Sequence, residues 1–263
     1  MTVEQPDNVE LGAIERIAPF YDQDYGDYDQ DLEFYLNYAK RTGSPILELG
    51  VGTGRVAIPL ALAGHQVVGV DASVGMLELC RKKLRGGLSE RLKLVQGDFR
   101  NLDLGLRFNM VFSAANTFGH ITTQRDQASV LESVRRHLEP RGLLILDLDN
   151  PESLFLNEGS GGLLLDWVRP ALDSKGYVMK LVSAWKEPET QLKHITFIYD
   201  EVGEDSVVRR TMASFRLRYS YQSEMELLLD CSGYRVEAVY GSYDLDAYAA
   251  HSERMIFVAR PQG

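Results

Sequence analysis

Apolar residues in this chain gather in short runs: Ile46 to Leu49, Val67 to Val70, Leu92 to Gln96, Phe108 to Ala114 and Leu143 to Leu148. Their length and composition suit strands buried between helices. Helical patterns separate them. Val56, Ile58, Leu60 and Leu62 spread through a helix of about two turns that Gly64 ends, Met76 to Leu84 forms a second, and Arg125 to Leu138 a third. Ahead of the first strand, Leu32, Tyr35 and Leu36 mark the core face of a helix closed by Gly43 and Pro45, while Met1 to Leu11 is polar and expected to be a mobile end. Beyond residue 150 the rhythm breaks. A glycine-rich loop (159–162) is followed by strand-like runs at 163–168, 177–185, 191–199 and 207–219, with Pro188 and Gly203 among the turn signals. This pattern predicts hairpins of a small antiparallel sheet. A helix from Ser223 to Cys231 and strands at 235–240 and 254–260 complete the chain, with a loop carrying Tyr243, Asp244, Asp246 and Tyr248 between the two strands.

The run from Ile46 to Asp71 organises the rest. Strand, glycine turn, helix and strand follow one another, and the second strand stops on an acid. Glycine permits the sharp turn and lets a ligand lie on bare backbone. The amides opening the next helix face an anionic group, and a carboxylate about 20 residues onward can accept both hydroxyls of a ribose. The unit therefore describes a nucleoside site. A dinucleotide fingerprint would place a third glycine where Arg55 stands, whereas here Gly50, Gly52 and Gly54 alternate behind Glu48.

That arrangement resembles motif I of the class I S-adenosylmethionine-dependent methyltransferases. The resemblance implies an α/β fold: a Rossmann-like, seven-stranded, mostly parallel sheet with helices on both faces, plus the small antiparallel β elaboration. It implies S-adenosylmethionine as cofactor and S-adenosylhomocysteine as product. Glu48 and the backbone of Gly50 and Gly52 would line the methionine end, Arg55 would meet its carboxylate, and Asp71 would hold the ribose, with Gly54 and Ala72 also among the cofactor-binding residues. Met76 would lie beside the adenine, Asp98 would meet its amino group and Phe99 would offer a backbone contact, with Ala114 also among the cofactor-binding residues. Similarity to glycine- and sarcosine-type and amino-sugar N-methyltransferases adds two features: a tyrosine-rich N-terminal segment over the cofactor, with Tyr21 first and Tyr25 second, and an Asn-x-Phe-x-His run, here Asn116 to His120. Asn116 would position the acceptor. His120 would act as a base or orient the loop, and a plain structural hydrogen bond explains it as well. In the last antiparallel run Phe215, Leu217, Tyr219 and Tyr221 alternate with Arg216 and Arg218. Period two puts rings and guanidinium groups on opposite faces. Core packing accounts for this, and so does a substrate pocket in which Arg216, Arg218 and Tyr219 take part.

The organisation expected is an N-terminal tail (1–19), a cofactor-binding core (20–150), an antiparallel insertion (151–221) and a closing helix and hairpin (222–263). In this family such an insertion covers the active site or forms a subunit contact, which leaves a homodimer open. At 263 residues, 44% hydrophobic and 25% charged, the chain has the composition of a globular domain with an elaboration. A net charge of -10 argues against a nucleic-acid partner, and the absence of a signal-like start or a bilayer-length apolar run predicts a cytoplasmic protein without membrane contact. Cys80 and Cys231 lack metal-ligand spacing and read as reduced core thiols. The expected activity is methyl transfer to a small-molecule acceptor, with nitrogen favoured over oxygen because tyrosine faces suit cations. A protein that holds the cofactor without transferring methyl, and an O-methyltransferase, are the rival readings.

Overall fold

The computed structural model describes residues 6–152, 160–172 and 175–262. Helix and strand alternate in the first part. α1 (Pro6–Ile17), α2 (Tyr21–Tyr25) and α3 (Leu32–Thr42) lead into β1 (Ile46–Leu49), α4 (Ala57–Leu62), β2 (Val67–Asp71), α5 (Val74–Lys83) and β3 (Leu92–Gln96). β4 (Phe108–Ser113), α6 (Gln124–His137) and β5 (Leu138–Asp149) complete this part. Four strands follow: β6 (Ser160–Pro170), β7 (Gly176–Glu187), β8 (Leu192–Gly203) and β9 (Val208–Arg218). The chain then returns through α7 (Gln222–Cys231), β10 (Tyr234–Tyr240) and β11 (Arg254–Pro261).

The main sheet has seven strands in the order β10-β11-β5-β4-β1-β2-β3. β1 to β5 run parallel, and β11 is inserted antiparallel between β5 and β10. Both faces are covered, so β1 is buried at every position. Ile46 points to the side packed by α3 and α4, with Met110 and Ile145 beside it; Leu47 and Leu49 point to the side packed by α6 and α7, with Val111 and Leu144. The chain order reverses between β1 and β4, which opens a crevice at the carboxyl ends of these strands. The second sheet is antiparallel throughout, in the order β6-β7-β8-β9. The seven-stranded sheet is the one the family resemblance implies, and the antiparallel sheet is the one the run-and-turn pattern predicts.

Three details differ from the sequence expectations. The polar start predicted to be mobile is helical from Pro6 onward, Met1 to Gln5 lying outside the described residues. α1 lies on β9: Arg216 Nε donates to Glu10 Oε1 at 2.8 Å, and Arg16 Nε to the Met212 carbonyl at 3.0 Å. A helix held by a tertiary partner does not announce itself in a local pattern. Of the predicted glycine-rich loop, position 159 is outside the described residues, and β6 already begins at Ser160. Cys80 is buried as expected, but Cys231 is exposed, because α7 ends with that face turned outward.

The second sheet is fastened to α2 by one buried carboxylate. Asp24 pairs with Lys180 Nζ at 2.9 Å, accepts from Trp167 Nε1 at 2.8 Å, and accepts from the Tyr199 hydroxyl. Phe20 stacks on Tyr199 with ring centroids 4.2 Å apart. Removing one partner of a buried pair leaves the other charge uncompensated and costs about 3–5 kcal/mol; here Asp166, 3.1 Å from Lys180, softens the loss. Asp24→Ala should therefore lower the urea-unfolding free energy by about 2–4 kcal/mol, and Asp24→Ala with Lys180→Met should lose less than the sum of the two single changes. Additive losses would show that the pair is not coupled.

Candidate functional site

The glycine turn after β1 is held from β2. Gly50 and Val51 N–H both donate to the Val70 carbonyl, at 2.8 and 3.0 Å, and Gly52 N–H donates to Asp71 Oδ2 at 2.8 Å. The other oxygen of Asp71 accepts from Ser73 N–H at 2.9 Å, and Ser73 in turn caps α5 through Met76 N–H. Asp71 thus fixes turn and helix together at the edge of the crevice. Burial raises its pKa while the Ser73 and Gly52 amides oppose the rise. Gly50 sits at φ +73°, and a Cβ there would fall 2.2 Å from Thr117 Cγ2. The turn and the loop after β4 can approach this closely only because the residue is glycine.

Two acids bring the N-terminal segment onto this turn. Asp22 accepts from the Thr53 hydroxyl at 2.6 Å and from Lys83 Nζ at 2.7 Å. Asp31, fully buried, takes both terminal nitrogens of Arg55 at 2.6 Å each, and Arg55 also donates to the Tyr28 carbonyl. Tyr21 thereby lies opposite Gly52, and the Tyr25 ring packs against it with centroids 4.9 Å apart. Burial pushes the Tyr21 hydroxyl up to about 12, so it remains a protonated donor.

The loop after β4 is held by a third acid. Asp147, fully buried in β5, accepts from Arg254, from the Tyr243 hydroxyl at 2.9 Å and from Ala115 N–H at 3.0 Å. Its carbonyl accepts from Asn116 N–H at 3.0 Å. Asn116, in the left-handed region at φ 60°, donates Nδ2 to Asp149 Oδ2 at 2.9 Å. Its Oδ1 accepts no hydrogen bond among the described residues and is left as an acceptor. His120 likewise makes no side-chain hydrogen bond there; its ring lies 5.5 Å from that of Phe215, and burial pushes its pKa down to about 4.

These parts surround one cavity of about 530 Å³. Tyr21, Gly50, Gly52, Asp71, Ala72 and Met76 line one end, Asp98 and Phe99 continue it, and Asn116 and His120 line the side facing the second sheet. Glu48, Gly54, Arg55 and Ala114 stand behind this lining. Arg55, expected at a ligand carboxylate, is committed to Asp31 instead. Asp98, though partly buried, is held below the usual carboxylate range by its 2.5 Å pair with Arg100. In β9 the face that lines the cavity is Phe215 and Leu217. Arg216 faces α1, and Arg218 is bound by Thr190, Gln191 and Glu224, so with Tyr219 they stand apart from the cavity.

The residues present fit S-adenosylmethionine. A carboxylate ends β2, the left-handed backbone of Gly52 lies bare opposite the Tyr21 ring, and Glu48 Oε2 is a buried oxygen with no hydrogen-bond partner among the described residues. Burial raises the Glu48 pKa, against the pull of Arg55. Lys193, Tyr243, Arg254 and Asp147 were not anticipated from sequence. Asp147 carried a signal, an acid in the middle of an apolar strand, which must find a partner.

Comparison with known proteins agrees with this arrangement. A family model described as a methyltransferase domain matches residues 46–142. The cypemycin N-terminal methyltransferase of a Streptomyces species is 29% identical over 222 residues, 84% of each chain. The glycine/sarcosine N-methyltransferase of Halorhodospira halochloris is 32% identical over 127 residues, and the match spans about half of either chain (46% of each). Among solved structures, the CcbJ methyltransferase of Streptomyces caelestis superposes with a TM-score of 0.80 at 28% identity, covering 95% of this chain and 98% of that one.

Asp71→Ala removes the carboxylate that ties the turn and faces the crevice. Affinity for S-adenosylhomocysteine, measured by calorimetry, should fall at least about tenfold, or 1.4 kcal/mol. Unchanged affinity would remove Asp71 from the site.

Proposed function

We propose that this chain, which belongs to the class I S-adenosylmethionine-dependent methyltransferases, methylates an amine nitrogen of a small-molecule acceptor held between the glycine turn and the second sheet. The observation that carries the reading is the shared cavity, lined at once by Asp71, by Asn116 and His120 of the loop after β4, and by the apolar side chains of the second sheet. The names of two relatives, an N-terminal methyltransferase and a glycine/sarcosine N-methyltransferase, support nitrogen as the acceptor atom.

When bound, S-adenosylmethionine supplies an already activated methyl group. The backbone of Gly50 and Gly52 and Asp71 with Ala72 would hold it, with Met76, Asp98 and Phe99 at the adenine end and Tyr21 over the turn, while Glu48 and Ala114 would support the site from behind that lining. The chain must also align the acceptor and exclude water. Asn116 Oδ1, freed because Nδ2 is spent on Asp149, accepts an N–H of the acceptor and turns the nitrogen lone pair away from itself. Tyr21 and Tyr25 offer ring faces to positive charge. A histidine ring with a pKa near 4 is neutral at physiological pH and too weak a base to take the proton of an alkylammonium. His120 therefore orients rather than deprotonates, and the amine must enter neutral.

Release of S-adenosylhomocysteine on addition of one chemical class of acceptor, with the product carrying an N-methyl group, tests the reading; release with phenols and not amines would favour oxygen instead. kcat/KM should rise with pH between about pH 6 and 9 as the acceptor ammonium loses its proton. His120→Ala should lower the rate without removing that limb. A limb near pH 6–7 that vanishes in His120→Ala would make His120 the base.

A further inference from the structure

The second sheet presents a regular face to the cavity. Opposed pairs run across β7, β8 and β9: Val182 faces Phe197, Ala184 faces Ile195, and Ile195 faces Phe215. All of these are apolar or small. The next row breaks the pattern, because Lys186 of β7 stands directly opposite Lys193 of β8, with Leu217 on the far side. Like charges directly opposed across a strand pair are unfavourable, and burial makes them more so. Lys186 is accommodated, since its Nζ donates to the Pro151 carbonyl at 2.8 Å. Lys193 is not: among the described residues its ammonium makes no hydrogen bond and no ion pair.

Nearby groups do not fill that role. Asp149 attracts Lys193, but its oxygens are already taken by Arg254 and by Asn116 Nδ2. Arg218, which lines the recess between the two lysines and Asn116, is itself a cation; its terminal nitrogens donate to Thr190, Gln191 and Glu224, and its Nε makes no hydrogen bond among the described residues. Burial lowers the Lys193 pKa and Lys186 adds to the effect, as expected for an ammonium short of a counter-charge. Lys193 also lines the main cavity, at the same end as Asn116. A half-buried ammonium with no partner among the described residues, at the end of an apolar wall, is costly unless a ligand completes it.

We infer that Lys193 anchors an anionic group of the acceptor, a carboxylate or a phosphate, so that the substrate class is an amine whose apolar body lies along Ile195, Phe215 and Leu217 and ends in that anion. This inference rests on the transferase reading above. The Lys193–anion pair fixes which end of the acceptor meets the Asn116 loop, and makes Lys193 a residue that determines specificity.

The test uses binding, so it does not depend on turnover. The full chain loaded with S-adenosylhomocysteine is titrated calorimetrically with two matched pairs of amines: phenylalanine against phenylalaninamide, and O-phosphoethanolamine against ethanolamine. At least one anionic member should bind 10-fold or more tightly than its neutral partner. The gap should shrink below about twofold in Lys193→Met and survive in Lys193→Arg. The pair showing the gap identifies carboxylate or phosphate. No gap in the wild type, or a gap that persists in Lys193→Met, overturns the inference. S-adenosylhomocysteine affinity, read in the same experiment, reports the folded state of each variant and the cofactor site, while a failure of the transferase reading would appear as absent S-adenosylhomocysteine release with any amine.

Discussion

The site depends on a carboxylate that the fold can scarcely tolerate unpaired. Asp147 lies in the fully buried part of β5, where an ionised group without partners would cost several kcal/mol. Its compensation comes from four directions. Arg254 enters from β11, Tyr243 from the loop between β10 and β11, the Tyr35 hydroxyl approaches from α3 at 3.4 Å, and Ala115 N–H comes from the loop after β4. Each of these elements is distant in sequence, so they converge only when the sheet is assembled. The arrangement also explains why Ala115 and Asn116 can both sit at positive φ, 49° and 60°. A left-handed alanine costs about 1–2 kcal/mol, and the bonds to Asp147 hold the loop there.

A second group of charges works on the other side of the cavity. Arg55 and Lys83 bind Asp31 and Asp22, which turns the N-terminal acids from a solvated stretch into a clasp. An arginine just after a glycine turn is well placed for a ligand carboxylate, and that chemistry is sound in isolation. Here the bidentate Asp31 carboxylate has already satisfied the fork, with Arg55 pushed further toward its charged state despite the desolvation that opposes it. The consequence is positional. Tyr21, opposite Gly52, and Tyr25 beside it owe their place to pairs made within the protein.

The contrast between Arg55 and Asp71 shows what could be read from the chain alone. Asp71 was legible because a local rule, an acid ending the strand after a glycine turn, fixes its surroundings through residues close in sequence. The α/β rhythm and the hairpins of the insertion were legible for the same reason, since period and turn residues act locally. Arg55, Arg216 and Arg218 depend on Asp31, Glu10 and Glu224, and the partner of a charge across the fold has no local signature. Lys193 was hidden differently. Its strand alternates as any half-buried strand does, and only the register against β7 puts Lys186 opposite it. Register is a tertiary property.

The apolar face of the second sheet gives these charges their force. Ile195, Phe197, Phe215 and Leu217 bring little polar surface to the cavity, so electrostatic interactions inside it act through a low dielectric. That favours a neutral His120 and protonated tyrosines, so none of these rings serves as a strong base. Transfer to nitrogen suits such an interior: once the amine has shed its proton outside, alignment and dryness are what remain to be supplied. The same dryness makes any surviving charge on the acceptor expensive unless it is matched, and the wall carries a place for one.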